Sequence, residues 1–105
     1  MKLDALIRTM RAAKQVTVHA TILGQTGAVA VDKGTAIRAA IAYAAESCNL
    51  GWRPDSEGTG LPSVETISNA DGMNVEQATA ARDRLRATDV PASVTMTDDG
   101  PAVTL

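Results

Sequence analysis

The sequence predicts an α+β fold: two antiparallel β-hairpins, about residues 15–32 and 92–105, packed against three helices, about 2–13, 35–48 and 75–86, with an alanine-rich helix at the centre. Three observations carry this prediction. Apolar residues recur at helical spacing in three segments, and four short runs read as strands, with strict alternation of apolar and polar residues in Val16–Ile22 and Ser93–Thr97. Each pair of runs is joined by a turn rich in Gly, Asp or Gln, as hairpins require. The 105 residues suit one domain with one core, spanning 1–105.

The elements follow in chain order. From Lys2 to Ala13, residues Leu3, Leu6, Ile7, Met10 and Ala13 share one helical face, leaving Lys2, Arg8, Arg11 and Lys14 on the outer arc. At Val16 the period changes to two: Val16, Val18, Ala20 and Ile22 alternate with Thr17, His19 and Thr21, the pattern of a half-exposed strand. Gly24-Gln25-Thr26-Gly27 is a turn signal, and Ala28 to Val31 returns as the second strand of a hairpin. Asp32 or Thr35 then caps a helix over Ala36 to Cys48. Ile37, Ala40, Ile41, Ala44 and Cys48 lie on one side of it, and Thr35, Arg38, Glu46 and Asn49 on the other. Only alanines and Tyr43 lie between, so this helix can approach a sheet, or a second copy of itself, very closely. A homodimer built on that helix is one expectation. Asn49 or Gly51 ends the helix.

The stretch Gly51 to Pro62 holds three glycines, two prolines and small polar residues, and reads as a loop. Ser63 to Ser68 alternates in a way that suggests a short edge strand, and Asn69-Ala70-Asp71-Gly72 a turn. Asn74, with Gln77 three residues on, forms a capping-box pattern before a surface helix from Val75 to about Arg86. Its thin apolar stripe is Val75, Ala78, Ala81 or Arg82, and Leu85, and Arg82, Arg84 and Arg86 gather in its last turns, where the helix dipole favours positive charge. Ser93 to Thr97 and Ala102 to Leu105 flank Asp98-Asp99-Gly100-Pro101 as the second hairpin.

Composition narrows the function. There is no Phe, one Tyr and one Trp, so the core is assembled from small aliphatic side chains and Met. The net charge of −2 conceals a division: residues 1–53 carry seven basic against three acidic residues, and residues 54–105 three against nine. No basic, apolar leader opens the sequence and no apolar run is as long as a membrane span, which points to a cytoplasmic protein. The lone Cys48 fits a reducing compartment and falls on the apolar arc of the central helix, where a thiol behaves as a small hydrophobe. His19, the only histidine, falls on the polar side of its strand. One His and one Cys make no closed zinc site. The glycine pairs lack the lysine and spacing of a phosphate loop, and Asp98-Asp99 belongs to a turn. No catalytic residue, cofactor or metal ligand is therefore expected, and the chain reads as a non-enzyme.

Trp52 remains. An aromatic followed by Arg53 on a loop is the residue pair most enriched at the centre of binding interfaces. With Asp55 and Glu57 adding charge, these residues are the candidate partner-binding set, and Arg8 and Arg11 extend it. A second role competes: in a chain without Phe, Trp52 is also the largest group available to close the core. The functional expectation is stoichiometric association with another macromolecule, a protein first, as by a regulator or an inhibitor such as a mobile-element protein that blocks a host nuclease complex. The alternative is nucleic-acid binding through the basic face of the first helix, against which stand the pI near 5.2 and the lack of aromatics among the basic residues.

Overall fold

The computed structural model of the chain describes residues 1–58 and 60–105, and of Ala20 and Ile22 the backbone alone. Thr59, in the predicted loop, and the side chains of Ala20 and Ile22, assigned above to the apolar side of their strand, lie outside the described residues. The elements are α1 (Leu3–Ala12), β1 (Gln15–Ile22), β2 (Gln25–Ala30), α2 (Lys33–Ser47), α3 (Val64–Asp71), α4 (Val75–Ala87), β3 (Ser93–Thr97) and β4 (Gly100–Thr104).

The fold is α+β, but not two hairpins laid on three helices. Both hairpins pair antiparallel, β1 with β2 and β3 with β4, and they are fused through a parallel contact between β1 and β4. The result is one mixed four-stranded sheet of order β2-β1-β4-β3. The seam is short: Gln15, Val16 and Thr17 register with Ala102, Val103 and Thr104, and it continues through hydrogen bonds from Leu105 N to Thr17 O and from His19 N to Leu105 O. Because the strands at the seam run parallel, the two hairpin turns point to opposite ends of the sheet. Val16 and Val103, paired across the seam, are buried on the helical side. On the opposite face Thr17 and Thr104 share a hydroxyl hydrogen bond of 3.0 Å.

Among the described residues there are four helices, where the sequence predicts three. Residues 63–68, expected as an edge strand, open α3 instead. The Ser63 side chain accepts from Thr66 N, Glu65 stands in the first turn, and Gly72 closes the helix in the left-handed conformation. The β-branched Val64, Thr66 and Ile67 resemble a strand, but Ile67 alone is fully buried, which one turn of helix satisfies better than alternation does. The expected turn at 69–72 is accordingly the last turn of α3 and its cap. The other caps follow the sequence: Asp32 accepts from Thr35 N at the start of α2, and Asn74 and Gln77 form a reciprocal capping box on α4. On α4, Val75 is exposed, and the buried stripe reduces to Ala78, Ala81 and Leu85. The start of the chain is stitched to the segment after α4 by Leu3 N to Thr88 O and Val90 N to Met1 O.

The core lies between α1, α2 and α4 on one side and the middle of the sheet on the other. Leu3, Leu6, Met10, Ile41, Ile67 and Leu85 are its largest fully enclosed groups besides Val16 and Val103. Along α2, Ala36, Ala40, Ala44 and Ala45 are buried within the same chain. These four alanines are thus taken up by the chain's own core, whereas Ala39 and Tyr43 of the same helix are exposed.

The first turn falls two positions earlier than the sequence suggests, at Leu23-Gly24, with Gln25 already in β2. Both turn residues have positive φ, 52° and 80°, the arrangement that matches the strand twist in two-residue hairpins. Leu23 suits it badly: a branched side chain in the left-handed region costs about 1 kcal/mol, and at 99% exposure it gains no burial in return. Leu23→Asn should therefore stabilise the fold by about 1 kcal/mol and raise the melting temperature by about 5 °C. An unchanged or lower melting temperature would contradict this account of the turn.

Candidate functional site

The tryptophan loop leaves α2 through a left-handed Asn49, φ 57°, with Asn49 N bonded to Glu46 O and Leu50 N to Ala45 O. This double closure turns the chain sharply and buries Leu50 against the core. Four side chains then fix the loop's backbone. Asp71, in the last turn of α3, accepts from Gly51 N and from Trp52 N, the latter at 3.3 Å. A Cβ at position 51 would stand 2.9 Å from Asp71 Oδ1, so any other residue would require the carboxylate to shift. Arg53 turns back, and its Nη1 donates to the carbonyls of Leu50 and Trp52. Asp55 Oδ1 accepts from Glu57 N at 3.1 Å and from Gly58 N, an Asx turn. At the far end Arg82 Nε donates to Pro62 O at 2.9 Å.

These ties hold the backbone on both sides of Thr59, over residues 50–58 and at Pro62. Trp52 is half-buried and packs against the core, as do Leu61, Val64 and Met73 around it. Its remaining surface lines a hollow of about 420 Å³ whose other walls include Arg53, Pro54, Asp55, Leu61 and Pro62. Part of the Trp52 side chain therefore closes the core and part faces the hollow. Arg53 is exposed, but one arm of its guanidinium is spent on the loop's own carbonyls. Asp55 is likewise engaged with backbone, and Glu57 stands exposed beside it.

Arg8 and Arg11 are exposed on α1 and are not brought to this loop's hollow. Arg8 lies 3.9 Å from Asp4, which also draws Arg86 of α4 to 3.7 Å, and the Lys33 ammonium donates to Arg11 O at 3.1 Å. His19 is exposed on β1. Cys48, half-buried at the end of α2, has its Sγ 3.2 Å from Thr88 Oγ1. Among the described residues, no three His, Cys, Asp or Glu side chains are grouped so as to hold a metal ion, and no helix is long and apolar enough to cross a membrane.

Asp71 and Arg82 shape the site but carry little local signal. The sequence places Asp71 in a turn, where an acid is ordinary; it stands out only within α3, because an acid in the last turn of a helix opposes the helix dipole. The sequence offers Arg82 as part of the helical stripe or as a charge complementing the dipole; its contact with Pro62 joins positions twenty apart and leaves no local pattern. No protein-family model, no curated protein and no solved structure matches this chain.

Proposed function

We propose that the chain is a non-enzymatic binding protein whose contact surface is the loop of residues 51–63, with Trp52 as its apolar anchor. The observation that carries this reading is the pre-ordering of an irregular loop around a half-exposed tryptophan. Asp71, Arg53, Asp55 and Arg82 hold the backbone before any partner arrives, so association does not bear the entropy of ordering it. Trp52, Pro54 and Leu61 offer an apolar floor above the buried Pro62, and Asp55, Arg53 and the neighbouring exposed Glu57 offer a charged rim, the division of labour found in protein interfaces. The partner is accordingly a protein that presents an apolar side chain with a basic neighbour, and the chain acts on it by occupancy, as a regulator or inhibitor does.

Affinity capture with wild-type and Trp52→Ala baits, compared by mass spectrometry, tests the proposal. Trp52→Ala should melt as a folded protein, with a stability loss of about 2 kcal/mol, roughly half that of a fully buried tryptophan. It should also lose a partner that the wild type retains in stoichiometric amount. Equal recovery by both baits, or failure of the wild type to retain any protein, would reject the loop as the contact surface.

A further inference from the structure

The four strands contain no Asp, Glu, Lys or Arg, although these make up 21% of the chain. Monomeric proteins commonly blunt a sheet edge with charge or proline, since its unpaired backbone groups are a template for another strand. Of the two edges here, β2 is interrupted by Gly27, whereas β3, Ser93-Val94-Thr95-Met96-Thr97, has neither Gly nor Pro and is exposed along its whole length.

The direction of the free groups on β3 follows from the ladder. Leu105 bonds through both N and O to β1, so alternate β4 residues Val103 and Pro101 direct their backbone groups the same way, and Gly100, Ala102 and Thr104 face β3. Their partners Thr97, Thr95 and Ser93 are therefore the bonded residues of β3, which leaves N–H and C=O of Val94 and Met96 pointing outward. The pairing of Met96 with Pro101, which has no N–H to give, agrees with this.

We propose that β3 pairs antiparallel with β3 of a second copy about a two-fold axis at Thr95, joining two sheets into one of eight strands. In that register Val94 of one copy opposes Met96 of the other, and their outward groups form four inter-chain backbone hydrogen bonds. The strand is complementary to itself on both faces. On the helical side Val94 and Met96, 38% and 73% exposed, cover one another across the joint. On the other side Thr95 meets Thr95 and Ser93 meets Thr97, favoured hydroxyl pairs. The acidic turns Asp98-Asp99 fall at opposite ends of the joint, each beside the uncharged Pro91 and Ala92 of the other copy, so no like charges are brought together. Five residues a side make a small interface, of the transient class, and half-association is expected at roughly 0.1 mM.

Sedimentation of the full chain between roughly 10 µM and 1 mM tests this. The wild type should pass from the 10.9 kDa of one chain towards twice that mass. Thr95→Lys, which places two ammonium groups face to face at the axis, should stay at one chain mass with its circular dichroism unchanged, and so should Thr95→Glu. An equimolar mixture of the two variants should recover the doubled mass, an outcome that general disruption of β3 cannot produce. A wild type that remains at one chain mass throughout overturns the proposal and leaves the β3 edge for a strand from a different protein. Thr95→Lys dimerising as the wild type does would place the contact elsewhere and also overturn it.

Discussion

Ala44→Arg should yield no folded protein. Ala44 has no exposed surface and stands in the middle of α2, flanked on the buried side by Ala36, Ala40 and Ala45. Small side chains at these positions bring α2 close to α1 and β1, so there is no space for a four-atom stem. An arginine there would either sit charged without a partner, costing several kcal/mol, or force the helix off the core. Either cost is comparable to the whole stability of a domain of this size, about 5–15 kcal/mol. Far-UV circular dichroism and the melting curve decide it, with Ala39→Arg as the control: Ala39 is exposed on the same helix, and this variant should fold. A cooperative melt for Ala44→Arg would mean that α2 packs less closely than described.

Asp71→Ala should loosen the tryptophan loop and destabilise the protein by about 2 kcal/mol, since the carboxylate bonds two backbone N–H groups and hydrogen bonds to a charged acceptor contribute about 1.5–3 kcal/mol. The readout is unusually direct because Trp52 is the only tryptophan. Its fluorescence should shift to longer wavelength and become more accessible to a soluble quencher, while the helical signal persists. If the loop is the contact surface, capture of the partner should weaken in proportion, although Asp71 itself is half-buried behind it. Asp71→Asn, which keeps an acceptor oxygen but not the charge, should fall between wild type and Asp71→Ala. Unchanged fluorescence in Asp71→Ala would show that the loop is held without that carboxylate.

What the sequence revealed and what it concealed divide along physical lines. Features set within a few residues were legible: the capping box of Asn74 and Gln77, the Asp32 cap, and the apolar faces of α1 and α2. Where two local signals competed, the stronger-looking one misled, as in α3, where three β-branched residues outweighed a serine cap and a closing glycine. Contacts between remote segments left no trace. The β1–β4 seam joins residues 87 positions apart, and nothing in Gln15-Val16-Thr17 distinguishes a parallel neighbour from an antiparallel one. The site shows the same division. Trp52 announces itself by type and by its loop, but which part of it is covered depends on Asp71, Arg82 and the packing of Leu61, all settled by tertiary structure.

The seam also governs how the protein can fold. Its middle strands come from the first and last fifth of the chain, and the start of α1 bonds to residues 88–90. Contacts of such long range must close a large loop before they return any energy, which slows folding. During synthesis α1, α2 and β1 can begin to pack on one another, but the β1 edge that β4 will occupy stays uncovered until β4 has emerged. The nascent chain therefore passes most of its synthesis as an unfinished sheet with an open, uncharged edge, the state most prone to pair wrongly with its neighbours.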